Sequence, residues 1–174
     1  MAALSRLGRQ LTEVVATFNL MGVHFALIGG LALATHRVVR ATQDVDLLTD
    51  GRRADEIDSA LLKLGYSCLH RSSDAGNYLR GDERLDLLYA TRTTARNLLA
   101  GAAEVGTAFG ALHVVSAEGL IALQPLARSG GVNIRPASHR DPYEALDDLM
   151  AAVEALCPRW PTRELFKSSG VWVL

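Results

Sequence analysis

The sequence predicts an α/β (α+β) fold with a helical C-terminal part. Two observations carry that expectation. Short apolar strands alternate with amphipathic helices through the first two thirds of the 174 residues, and helical periodicity dominates the last third. The hydrophobic content of 49% is enough to bury a real core in one domain. Residues 1–115 are expected to form the core, and residues 116–174 a helical region packed on it.

The elements follow in order. Leu4, Leu7, Leu11, Val14 and Phe18 recur at spacings of three and four, which marks one stripe of an opening helix. Gly22 supplies its left-handed stop. Phe25 to Ile28 reads as a buried strand, Gly29-Gly30 as a turn, and Leu31 to Thr35 as the start of a small-residue helix. Val45, Leu47 and Leu48 mark the next strand, ended by Asp50-Gly51. Ala54, Ile57, Leu61 and Leu64 form a third helical stripe, closed by Gly65. Tyr66 to Leu69 and Asn77 to Leu79 are expected to pair across the polar turn from Ser72 to Gly76, and Arg84 to Tyr89 is a stronger strand.

Beyond Thr91 the pattern is less decisive. A short helix fits the first half of the stretch to Gly110, with a strand at Thr107 to Phe109 and another at Leu112 to Val115. Ser116 is placed to cap a helix from Ala117 to Leu126, whose apolar character predicts burial and whose Pro125 predicts a kink or an end. A loop over 128–138 and a last helix through Leu146, Leu149, Met150, Val153 and Leu156 complete the chain. His24, His70 and His113 fall in apolar strands and are expected to be packed.

Charge and cysteine content narrow the function. A net charge of -1 gives no strong pull toward nucleic acid or anionic membrane. No run approaches the roughly 18 to 20 apolar residues of a membrane helix, and the amphipathic N-terminus lacks a signal-peptide core. Cys68 and Cys157 have no zinc-ligand spacing, so two free thiols in the cytoplasm are expected.

The chemistry sits between Phe25 and Leu48. Asp44 and Asp46 lie two apart on a strand and share a face, roughly 6 to 7 Å apart. Two such carboxylates repel by about 3 kcal/mol at an effective dielectric near 20, a cost that a divalent cation removes. Asp86, on a later strand, offers a third carboxylate if the two strands are neighbours. Asp-x-Asp alone is equally a solvated strand end, and Gly-Gly alone an ordinary tight turn. Together, a turn that admits phosphate and carboxylates that admit metal point to phosphoryl or nucleotidyl transfer. No GxGxxG or Gly-Lys-Ser/Thr loop is present, which disfavours Rossmann and P-loop readings.

Gly29-Gly30, then Asp44-Val45-Asp46, then Asp86 resembles the DNA polymerase beta-like nucleotidyltransferase superfamily. Gly29, Gly30, Ala32, His36, Arg40, Thr42, Asp44, Asp46 and Leu47 resemble in particular the AbiEii/MenT-type branch of toxin–antitoxin systems. The resemblance implies a mixed sheet flanked by helices. It implies an enzyme that uses Mg²⁺ or Mn²⁺ to move an NMP from an NTP to an acceptor hydroxyl on tRNA, a protein or a small molecule, with an antitoxin as possible partner. By resemblance, Asp44, Asp46 and Asp86 are the metal-binding and catalytic carboxylates. Gly29, Gly30, Arg40, Thr42 and Gln124 are the nucleotide-binding positions.

The sequence departs from the branch at Gln124, where a Lys is usual, with Pro125 after it. A Gln donates without charge, so phosphate binding is expected to weaken unless Arg128, Arg135 or Arg140 substitutes. A non-catalytic fold that binds nucleotide or a protein partner is the alternative. Small-molecule modification of the aminoglycoside type would use the same metal site.

Overall fold

The computed structural model describes residues 5–36, 42–107 and 110–129, with side chains described through Leu123. Helix α1 (Arg6–Leu20) is capped by the Ser5 hydroxyl, which accepts from the Gly8 amide. It buries Leu7, Leu11, Val14 and Phe18 of the expected stripe, and Val15 beside them; Leu4 lies outside the described residues. Gly22 has φ +64, as a left-handed stop requires. Strand β1 (Phe25–Leu27) leads into α2 (Gly29–Thr35), and β2 (Asp44–Thr49) follows. A single 3₁₀ turn at Gly51–Arg53 precedes α3 (Ala54–Lys63).

Strands β3 (Ser67–Arg71), β4 (Ala75–Arg80) and β5 (Glu83–Tyr89) form an antiparallel run. The turn before β4 is tighter than the sequence suggests. The Ser72 hydroxyl accepts from the Asp74 and Ala75 amides, so Ala75 and Gly76 are already strand. Helix α4 (Thr93–Ala100), β6 (Ala103–Thr107), β7 (Gly110–Val114) and α5 (Ala117–Ser129) complete the described chain.

The seven strands make one mixed sheet in the order β3-β4-β5-β2-β1-β7-β6. β2 pairs parallel with β5 and antiparallel with β1, which places it at the centre. Its Val45 and Leu47, with Leu85 and Leu87 of β5, are buried on one face. Helices α1 and α3 cover that face: Tyr78 donates to Asp58 of α3, and Arg80 pairs with Glu13 of α1. The other face carries Asp44, Asp46 and Asp86. No described helix is long and apolar enough to cross a membrane.

Several expectations change. The strand expected at Thr107 to Phe109 is β6, which begins at Ala103 because it must match β7 residue by residue, from Thr107 opposite Gly110 to Ala103 opposite Val114. Helix α5 is only half buried: Leu120 and Leu123 face the core while Ile121 is 69% exposed. It also runs through Pro125 to Ser129, so Pro125, expected to kink or end it, does not end it. Ser116 caps it as expected, accepting from the Gly119 amide. His24, His70 and His113 are exposed rather than packed. His113 alternates with buried Leu112 and Val114, and His70 lies on edge strand β3, exposed throughout. The loop and helix expected beyond residue 129 lie outside the described residues.

Candidate active site

The parallel pairing of β2 with β5 sets the site. Asp46 lies opposite Asp86, and Asp44 opposite Arg84. Alternation puts all four side chains on one face, a two-by-two array of three carboxylates and one guanidinium, each half-buried. One strand further out, Asn77 of β4 lies opposite Asp86 and donates to its Oδ1 at 2.6 Å.

The glycines at the start of α2 abut this array. Gly29 has φ +67, and a β-carbon there would lie within 2.1 Å of Asp46 Oδ2. A β-carbon on Gly30 would lie 2.6 Å from Thr42 Cβ. The Asp46 carboxylate therefore occupies the space that any larger residue at position 29 would fill. The Ile28 amide donates to the Asp46 carbonyl at 3.0 Å, which locks the turn to β2. Thr42 folds back on the Asp44 backbone, its hydroxyl 3.4 Å from the Asp44 carbonyl oxygen and 3.5 Å from the amide nitrogen.

Burial sets the charge state of the array. It pushes the Asp44 carboxyl up, the Asp86 charge adds to that rise, and Arg84 and Arg6 pull it down. Burial likewise raises Asp86, against the hydrogen bond from Asn77 and the charge of Arg84. The array thus holds negative charge at a cost, the condition under which a cation binds well.

Divalent metal fits this donor set by its chemistry: hard carboxylate oxygens on one sheet face. Among the described residues no three His, Cys, Asp or Glu side chains are gathered into a metal cage. The shared face is a partial ligand set. Mg²⁺ favours such sites, taking one or two carboxylates and completing its shell with water and substrate phosphate.

The remaining expected residues divide. His36, at the end of α2, has its Nε2 2.8 Å from the Val115 carbonyl oxygen and ties α2 to the end of β7. Arg40 lies outside the described residues, as does the side chain of Gln124, whose backbone is in α5. Sequence reasoning missed Asn77 and Arg84. Arg84 was within reach, because it stands two residues before Asp86 on an alternating strand.

The family model described as aminoglycoside-2''-adenylyltransferase matches residues 10–95. No curated protein matches the chain in sequence. The solved structure of ANT(2'')-Ia in complex with adenylyl-2''-tobramycin is similar, with TM-score 0.52 and 20% identity over 94% of this chain and 98% of that one. The lincomycin-bound lincosamide adenylyltransferase LnuA gives TM-score 0.54 and 15% identity over 85% and 98%. A Thermotoga maritima protein assigned as a nucleotidyltransferase gives 0.55 and 20% over 70% and 84%. The family-model match over residues 10–95 and the fold shared with these structures together support a nucleotidyltransferase enzyme.

Proposed function

We propose that this chain transfers AMP from ATP to a hydroxyl group of a small molecule, using Mg²⁺ or Mn²⁺. The observation that carries the reading is the row of Asp44, Asp46 and Asp86 on one sheet face, with Gly29 packed directly against Asp46. The adenylyl group and the small-molecule acceptor are supported by the similar proteins, one in complex with adenylyl-tobramycin and one bound to lincomycin.

Asp44 and Asp46, with Asp86, would hold the divalent ions. When bound, these would offset the charge of the carboxylates and of the triphosphate. The backbone of Gly29 and Gly30 would hold the triphosphate. Asp86 takes the proton of the acceptor hydroxyl as that oxygen bonds to the α-phosphorus. The bond from the α-phosphorus to the bridging oxygen breaks, and pyrophosphate leaves. An ATP-using enzyme of this kind would work in the cytoplasm.

Incubation with α-phosphate-labelled ATP, Mg²⁺ and a panel of hydroxylated small molecules tests the proposal. Label should move to a small acceptor with wild type and not with Asp44→Ala. Label on tRNA or protein would instead favour the AbiEii/MenT-type reading and its antitoxin partner. Tight ATP binding without any transfer would favour the non-catalytic alternative.

A further inference from the structure

Three carboxylates facing one triphosphate carry more negative charge than two divalent ions cancel. Such a site is stable with substrate bound only if the protein adds positive charge of its own. Arg84 stands where that charge is needed. It lies opposite Asp44 in the β2–β5 pairing and two residues before Asp86, on their shared face. Its field lowers both carboxyl groups, whereas that of Arg6 acts on Asp44 alone of the two. Among the described residues no ion pair engages the Arg84 guanidinium.

We propose that Arg84 is a nucleotide-contacting residue of this site, its guanidinium taking the phosphate oxygens of the bound triphosphate. This rests on the nucleotidyltransferase reading above and adds to it a cation supplied by β5. Its half-buried position suits the role. The Gln10 side chain donates to the Arg84 backbone carbonyl at 2.7 Å and fixes the strand beneath it. The planar guanidinium can present two parallel N–H groups to one phosphate. Once metal ions offset the carboxylates, the phosphates become the stronger attraction for the Arg84 guanidinium.

The alternative role is a counter-ion that only steadies the carboxylates. Binding separates the two. Inorganic tripolyphosphate with Mg²⁺ serves as probe because it lacks a base and a reacting acceptor. Calorimetry is run on wild type, Arg84→Met, Arg84→Lys, Asp44→Asn and the surface control Arg52→Met, each first shown to melt cooperatively. Arg84→Met should weaken Mg²⁺-tripolyphosphate binding about 10- to 100-fold. Arg84→Lys should recover part of the loss, and Arg52→Met should match wild type. Mg²⁺ alone should bind Arg84→Met at least as tightly as wild type.

Unchanged or tighter tripolyphosphate binding by Arg84→Met would overturn the proposal in favour of the counter-ion. Equal binding by Asp44→Asn and wild type, or none by wild type, would overturn the site assignment itself and this inference with it.

Discussion

Asn77 on β4 donates its side-chain amide to Asp86 Oδ1 across the strand pair, at 2.6 Å. The bond fixes one oxygen of the carboxylate and leaves the other for chemistry. Burial favours the neutral acid at Asp86; the bond from Asn77 favours the charged form. Asn77→Ala removes the second influence, so the Asp86 pKa in the metal-free protein should rise further. Carboxyl-carbon NMR titration of both proteins checks this. An unchanged or lower Asp86 value in the variant would show that the amide has no hold on the charge.

Asp44 makes the same conflict measurable as stability. Its folded pKa is raised, chiefly by burial and then by Asp86, above the ordinary 3.8. The stability tied to its neutral form is complete below the unfolded value and is lost as pH rises through the folded one. At pH 7 the charged Asp44 therefore destabilises the metal-free fold. Asp44→Asn should raise the melting temperature there, by about 2–4 °C for each kcal/mol gained, and should give no gain at about pH 3. Mg²⁺ should stabilise wild type more than the variant. A lower melting temperature for metal-free Asp44→Asn at pH 7 would contradict this.

Two glycines with nearly equal backbone angles separate strain from crowding. Gly22 has φ +64 and nothing within 4 Å of the place a β-carbon would take; Gly29 has φ +67 and Asp46 Oδ2 at 2.1 Å from that place. Gly22→Ala should cost about 1 kcal/mol, the left-handed penalty alone. Gly29→Ala should cost at least about 2 kcal/mol more, because Asp46 must move, and transfer activity should fall with it. Urea unfolding and the labelled-ATP assay read the two effects. Equal costs at the two positions would mean that Asp46 yields freely.

Local chemistry made much of this legible in the sequence. Apolar spacing located α1 and α3, and alternation located β2 and β5. Asp44 and Asp46 could be placed on one face by strand geometry alone. Their meeting with Asp86 could not, because it depends on the parallel register of two strands about forty residues apart. The half-buried α5 misled for a related reason: an apolar helix shows how much it could bury, not how much the fold covers. Asn77 gave no sign in the sequence, since its importance comes from the strand opposite. The clash that a methyl group at Gly29 would meet is likewise a tertiary fact, although the glycine itself was visible.

Arg80 offers the most direct test of how the helix-covered face is held. It lies on the face opposite the carboxylates, 27% exposed at its side chain. It pairs with Glu13 of α1 at 2.5 Å and Glu83 at 2.7 Å, and it donates to the Leu64 carbonyl at the end of α3 at 2.8 Å. Its guanidinium carbon also lies 4.5 Å from the centre of the Tyr66 ring. One side chain thus joins two helices to β4. Arg80→Met keeps much of the apolar stem but leaves the carboxylates of Glu13, 42% exposed, and Glu83, 18% exposed, and a carbonyl without their donor, which should cost about 2–3 kcal/mol. Partial exposure limits each ion pair to about 1 kcal/mol or less, so the Arg80→Met/Glu13→Gln cycle should show coupling of that size and no more. Coupling near zero would shift the weight to Leu64 and Tyr66. Because the array of Asp44, Asp46 and Asp86 lies on the other face, Arg80→Met should lower stability while Mg²⁺ affinity of the folded protein stays at the wild-type value.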